Sequence, residues 1–296
     1  MSIPQAPTQG PAPARSGRIP DLIGAIATAY YWELRKLVAQ KRTWLGIAAA
    51  ALVPVIFLVS IQISKVTPHD GPYDTPLGPN LRHSGLALDL VVLTLIAYIG
   101  PAILTALVAG DIVAGEDMAG TLKTILVRSV RRGHILAGKA LALFTYVLAA
   151  LVAFGVFGIG AGVITWGFHP LVNLSGQQLP AAQALGLALA ALAVYALPVI
   201  AIAAFGLFLS VVSRNSVAAV VGTLFYALAL QGLAAFGAIA SVRPYILVTQ
   251  LKTWQGFFQT PTDWAIIGHG VWVSALYLPP PLIAAYILFS RRDVAS

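Results

Sequence analysis

Six long apolar runs constrain this chain more than any other feature. They lie at about residues 44–63, 86–109, 135–166, 183–212, 216–240 and 268–289. A helix needs roughly 20 apolar residues to cross a bilayer, and in lipid an open backbone finds no water to satisfy it. Each run meets that length. The third and fourth exceed it, so they must tilt or extend beyond the membrane. Composition agrees, with 58% apolar and 9% charged residues, against about 25% charged in an ordinary soluble domain. The expected fold is an all-α integral membrane protein with six transmembrane helices.

Charge placement orients the spans. With the N-terminus inside, the cytoplasmic segments hold Arg15, Arg18, Arg35, Lys36, Lys41, Arg42, Lys123, Arg128, Arg131, Arg132, Lys139, Arg214, Arg291 and Arg292. That is 14 of 18 basic residues, and the outside keeps Lys65, Arg82, Arg243 and Lys252. The asymmetry follows the positive-inside rule, and one span more or fewer would spoil it. The net charge of +8 therefore points to topology and anionic membrane lipid, not to nucleic acid. With no cysteine in the chain, disulfides, thiolate metal sites and cysteine nucleophiles are excluded.

Residues 1–17 are rich in Pro, Ala, Gln and Gly and read as a disordered tail. A single transmembrane domain is expected over 18–296. Its first apolar run follows Arg35, Lys36, Lys41 and Arg42, which suits an uncleaved signal anchor. Within 18–42, Ile19, Leu22, Ile23, Ile26, Tyr30, Leu34, Leu37 and Val38 recur at helical spacing. This predicts an amphipathic helix on the inner leaflet, with a plain extension of the first span as the alternative. The outer loop 64–85 is broken by Pro and Gly, and loop 167–182 has no charged side chain beyond His169. The stretch 241–267 carries Trp254, Phe257, Phe258 and Trp264 among polar residues. It reads as short outer-side helices before the last span, or as a loop anchored by an aromatic belt.

The most informative segment is GDIVAGEDMAGTLKTILVRSVRRGHILAGK, from Gly110 to Lys139. Asp111, Glu116 and Asp117 come early and the basic residues later. Asp111 can cap a short helix running to Ala119, Gly120 can end it in a left-handed conformation, and Thr121 can cap the next helix. Glu116, Gly120, Thr121, Leu122, Arg132, Gly138 and Lys139 stand in the order found in the membrane subunits of type-2 ATP-binding-cassette transporters. The segment resembles that family. The family's Pro-Val-Ser-Arg is replaced here by Ser129, Val130, Arg131 and Arg132, while Phe289–Val294 looks like the family's ending. The resemblance covers about residues 18–294.

It implies a permease half in a bacterial cytoplasmic membrane, with both termini cytoplasmic. Such a subunit pairs with a second copy or a paralogue. It docks a separate cytoplasmic ATPase dimer through Asp111, Glu116, Asp117, Gly120 and Thr121. ATP-driven motion would also reach the entry helix through Arg35, Lys36, Lys41 and Arg42. Substrate, a drug, lipid or lipid-linked molecule, would move outward. ATP and magnesium would be bound by the partner, and no cofactor or metal by this chain.

Gly133 to Lys139 fits the phosphate-loop spacing G-x-x-x-x-G-K, but Ala140 stands where Ser or Thr must be and no strand precedes it. Lys139 is instead expected to snorkel to the inner headgroups. No zinc-protease motif or nucleophile elbow occurs, which leaves a membrane-embedded enzyme the weakest alternative. An ion-coupled secondary carrier is the stronger one, and it would need ionisable groups within the spans. Asp89, one turn inside the second span, and His269 are the candidates, with helix-end placement favoured for Asp89. Tyr98, Tyr146, Tyr195, Tyr226 and Gln231 are possible polar points on a substrate path, or simply interhelical hydrogen-bonding groups. Gly158 and Gly162 signal close packing, and Pro198 and Pro279–Pro281 kinks or breaks in the fourth and sixth spans.

Overall fold

The computed structural model describes residues 19–63, 71–97, 99–120, 132–237 and 240–291. The tail 1–17, Tyr98, Thr121 and the basic stretch up to Arg131 lie outside them. The fold is that of an all-α membrane protein. Among the described residues, five helices are long and apolar enough to cross a membrane, or six when one bent pair counts as a single span.

Helix α1 (Ile19–Ala39) and helix α2 (Lys41–Ile63) are separate and meet at Gln40. The Arg42 guanidinium donates to Gln40 Oε1 at 2.9 and 3.0 Å, which pins the corner. Both faces of α1 carry apolar residues. Leu37 is buried toward the bundle, and Ile23, Tyr31, Trp32 and Val38 are exposed.

The stretch expected to be a continuous second span over 86–109 is broken. It consists of α3 (Leu86–Ile96) and α4 (Gly100–Ala109). The flanking segments Leu86–Ile96 and Gly100–Met118 are bent by 72°. The physical reason is Gly100-Pro101. Proline lacks the N–H that would continue the ladder, and it suits the first turn of a new helix. The short helix α5 (Ala114–Met118) follows and ends toward Gly120, whose φ of +71° is the left-handed conformation expected of it.

Helix α6 (Arg132–Trp166) has 35 residues and α7 (Ala181–Ser213) has 33. At 1.5 Å per residue these are about 50 Å long, against roughly 30 Å of hydrocarbon. Helix α8 (Ser216–Ala235) starts after Arg214, at φ 53°, with Asn215 capping Ala218 N at 3.1 Å. The last apolar stretch is α9 (Trp264–Tyr277) followed by α10 (Pro279–Ser290), divided at the proline run.

Helix α3 is the axis of the core. Leu86, Ala87, Leu88, Leu90, Val91 and Leu93 are all fully buried, as a helix apolar all round should be. Close approach against α6 is permitted by glycines. A Cβ on Gly85 would collide with the backbone of Gly162, and one on Gly158 with the Asp89 carboxylate.

The end of the bundle opposite α5 is closed by hydrogen-bonded loops. Asn80 bonds both the N–H and the C=O of Val172 at 2.8 Å, and Ser84 Oγ donates to His169 O at 2.8 Å. A two-stranded hairpin, β1 (Leu171–Val172) and β2 (Gln178–Leu179), pairs Leu171 with Leu179. The stretch 241–267 contains two 3-10 helices, Arg243–Tyr245 and Leu247–Phe258. Trp254 and Phe258 are buried in the core, and Trp264 is exposed. Their burial favours packed short helices over an aromatic belt.

Candidate functional site

The charged end of the bundle gathers a compact polar cluster from residues far apart in sequence. Lys139, in the second turn of α6, is the centre. Its side chain is fully buried, and Nζ lies 3.0 Å from Glu33 Oε1, 2.7 Å from Glu116 Oε2 and 3.0 Å from Ile112 O. The expectation that Lys139 reaches headgroups is therefore wrong. Two carboxylates and a carbonyl sit within its reach, and their attraction replaces the hydration it would otherwise seek.

Lys36, one turn beyond Glu33 on α1, sits 3.1 Å from Glu33 and also pairs with Glu116. Burial lowers the Lys36 pKa, but the hydrogen bond and charge of Glu116 and the charge of Glu33 outweigh it, so the net direction is upward from 10.5. Beside this quartet, Arg42 pairs with Asp111, and Ser216 Oγ donates to the same carboxylate. The two groups together hold three acids and three cations, so the cluster is neutral.

Local geometry sets these positions. Gly138 lets α6 touch α1, since a Cβ there would lie 2.8 Å from the Tyr30 nitrogen and 2.7 Å from the Ala29 Cβ. Tyr30 and Thr145 exchange a hydrogen bond of 3.0 Å along the same seam. The start of α5 is held differently from expectation. Its N-cap is Val113, without a side-chain cap, and Asp111 turns instead to Arg42 and Ser216. Ser210 of α7 supplies the missing acceptor, taking Val113 N at 3.1 Å and Ala114 N at 2.9 Å. An ionic partner within reach outweighs a local cap for a carboxylate this close to a guanidinium.

The expected coupling residues and entry-helix residues are thus brought together in part. Asp111, Glu116, Lys36 and Arg42 are in the cluster. Asp117 is half-buried beside it, Gly120 is exposed at the helix end, and Arg35 and Lys41 are exposed. Arg35 lies over the Trp32 ring at 5.7 Å. A cleft of about 500 Å³ opens over the cluster, lined by Glu33, Lys36, Arg42, Asp111 and Glu116 among others. Glu33, Ser210 and Ser216 were missed. Glu33 carried a signal, because it falls between Tyr30 and Leu37 on the apolar stripe of α1, where an acid needs a partner.

The suggested substrate-path residues do not converge. Tyr146 donates to Leu104 O at 3.2 Å, and Tyr226 stacks on Phe205 with ring centres 3.7 Å apart. Gln231 lines a cavity of about 790 Å³ beside Arg243, Lys252 and His269. Tyr195 lines a different, apolar cavity. Asp89 sits in the first turn of α3, as expected, but it is fully buried and neither oxygen has a hydrogen-bond partner among the described residues. No group of three or more His, Asp or Glu side chains is arranged to hold a metal among the described residues.

A family model described as "Protein of unknown function (DUF2705)" matches residues 50–295. The match includes Asp111, Glu116 and Lys139 and begins within α2, after Glu33, Lys36 and Arg42. No curated protein matches the chain.

Proposed function

The chain belongs to the DUF2705 family, and we propose that it is the membrane-spanning permease subunit of an ATP-driven exporter of the type-2 ATP-binding-cassette kind. The single observation that carries this reading is the neutral ionic cluster joining α1, α2, the α5 segment and α6. A short helix tied to a long span and to an entry helix by charge pairs is a mechanical link. Force applied to α5 reaches Lys139, and through it α6, without passing through lipid.

In this reading the cluster lies at the cytoplasmic face, α1 lies along the inner leaflet, and both termini are cytoplasmic. A separate ATPase dimer binds the exposed end of α5 at Met118, Ala119 and Gly120. Glu116 then transmits motion rather than touching the partner. A second permease copy or a paralogue completes the transporter, and ATP and magnesium are held by the ATPases.

The test separates docking from transmission. The chain is co-purified with its ATPase and reconstituted for hydrolysis and export. Ala119→Arg is expected to lose the partner. Glu116→Gln is expected to keep the partner but to uncouple hydrolysis from export. Normal coupling in Glu116→Gln removes the assigned role of the cluster.

One observation favours a second reading, an ion-coupled carrier. Among the described residues the buried Asp89 carboxyl, in a helix of the apolar core, has no hydrogen-bond partner, and such groups are functional by default in membranes. Transport driven by a proton or sodium gradient, lost in Asp89→Asn and indifferent to ATP, selects it over the permease.

A further inference from the structure

Between α8 and α9, the turn Arg243–Tyr245 is clamped by a side chain at each of its three carbonyls. Thr249 Oγ1 donates to Arg243 O at 3.0 Å, Gln250 Nε2 to Pro244 O at 2.6 Å, and Tyr277 Oη to Tyr245 O at 3.0 Å. His269 Nε2 also lies 3.0 Å from Pro244 O. A carbonyl only accepts, so that nitrogen carries the proton. Pro244 adds a fixed φ. Four side chains, from the second 3-10 helix and α9, thus hold three residues in one geometry. Such support is what a binding group kept in register requires.

The side chain that this turn presents is a guanidinium without an acid. Among the described residues Arg243 forms no ion pair. Its guanidinium makes one long hydrogen bond, to Phe236 O at 3.5 Å. Asp263 lines the same cavity, but its Oδ1 caps α9 by accepting from Ile266 N at 3.0 Å.

The cavity measures about 790 Å³, within the range of about 300–1,000 Å³ usual for small-molecule sites. Its walls divide by chemistry. Arg243 and Lys252 supply cations, and Ala234, Val248 and Ile266 supply an apolar side. In the orientation that the charge asymmetry sets, four of the 18 basic residues fall outside, and two of those four meet here. Positive charge on that side runs against the topology rule, so its concentration in one cavity points to an anion. Aromatic side chains set the depth. Trp264, between the lining residues Asp263 and Ala265, is 68% exposed, and Tyr245, beside Pro244, is 52% exposed. Exposed Trp and Tyr mark the headgroup level of a bilayer, where lipid phosphates lie.

We infer that this cavity binds the phosphate head of an outer-leaflet lipid, with Arg243 as its bidentate partner, Lys252 as a second cation and the start of the acyl chain against Ala234, Val248 and Ile266. The planar fork of arginine matches phosphate oxygens in pairs. Free phosphate shares the head chemistry but leaves the apolar wall unfilled. Use of the site for exported cargo rests on the permease reading; the binding site itself does not.

The experiment uses the full chain in maltoside detergent, without an ATPase. Three probes are compared: a short-chain phosphatidic acid with a diazirine on its acyl chain, the matching diacylglycerol, and inorganic phosphate. The phosphatidic acid is expected to label peptides from the end of α8 and the start of α9 in a saturable manner, the diacylglycerol is not, and inorganic phosphate should compete only weakly. Arg243→Gln should weaken the phosphatidic acid about ten- to hundredfold. Arg243→Lys keeps the charge but loses the fork and should weaken it less. Arg82→Gln removes a basic residue of the same side that does not line the cavity, and should leave binding unchanged. Thermal unfolding is recorded for every variant, and the probe comparison on the parent chain decides even where a variant does not fold. Diacylglycerol that labels as saturably as phosphatidic acid overturns the site. So does an affinity untouched by Arg243→Gln, or one lost equally in Arg82→Gln. Inorganic phosphate that binds as tightly as the lipid overturns the lipid as occupant. Saturable, Arg243-dependent binding in a chain that has no ATPase partner leaves the site standing and removes the permease reading. ATP-driven export indifferent to Arg243→Gln keeps the permease and overturns the cargo role.

Discussion

Replacing Lys139 by methionine is the sharpest perturbation the structure offers. Methionine keeps the length and apolar stem of lysine but removes its charge and its three donors. The ammonium lies within 3.0 Å of both Glu33 and Glu116, and its side chain has no exposed surface. Removing it takes the cluster from neutral to one excess negative charge. Lys36 already contacts both carboxylates but its one charge cannot neutralise two, and the Ile112 carbonyl loses its donor. Breaking one side of a buried ion pair typically costs about 3–5 kcal/mol, because the surviving charge stays desolvated. For a chain of this size that is a fall in unfolding temperature of roughly 10 °C. The double variant Lys139→Met with Glu33→Gln restores neutrality, leaving Glu116 with Lys36. It should recover at least half of the loss. The assay is thermal unfolding of the four members of the cycle in one detergent, followed by tryptophan fluorescence, with the interaction energy taken from the cycle. Strictly additive losses, or a Lys139→Met variant that melts with the parent chain, would refute the buried cluster and return Lys139 to the headgroup region.

Further outcomes follow from the same packing. Gly138→Val should push α1 from α6, because even a Cβ meets the backbone at Ala29 and Tyr30; an overpacking cost of about 1–3 kcal/mol and faster proteolysis of α1 are expected, and unchanged proteolysis counts against the seam. Gly85→Val should destabilise the opposite end by driving α3 from Gly162, measurable as a lower unfolding temperature, and a neutral result would mean the two helices are not in contact. The pairing of Lys36 has a raised pKa, so its contribution is fully present below 10.5 and is lost only as pH rises through the raised value. Stability from this pair should be flat across the neutral range, which a pH series comparing the parent with Lys36→Met checks. Ser210→Ala leaves the Val113 and Ala114 N–H groups without an acceptor and should cost about 1–3 kcal/mol, with faster amide exchange at the start of α5.

Legibility from sequence differed by element. The long spans were readable because lipid forces the backbone to satisfy itself, so length and hydropathy alone identify a helix. Gly120 was readable because few residues accept its φ, and the Pro279–Pro281 break because proline cannot continue a ladder. The bend in the second span was not foreseen, although Gly100-Pro101 stood in plain view. Many membrane helices tolerate such a pair when neighbours satisfy the freed backbone groups, so the residues alone do not decide it. The Asp111 reading failed for a related cause. Local rules describe a carboxylate near a helix start correctly only until a cation from another element arrives.

The sequence by itself determined that this chain is a set of apolar helices with its charges confined to their ends, because the cost of an exposed backbone or charge in hydrocarbon depends on little beyond the local residues. Tertiary structure alone decided which charges meet. Glu33 and Lys139 are separated by the whole of the first two apolar runs, and nothing local distinguishes a lysine bound for lipid headgroups from one buried between two carboxylates. The same holds for Tyr195, whose hydroxyl has no hydrogen-bond partner among the described residues, whereas that of Tyr146 donates to Leu104 O. Desolvation and pairing are properties of a neighbourhood, and the neighbourhood exists only once the helices have packed.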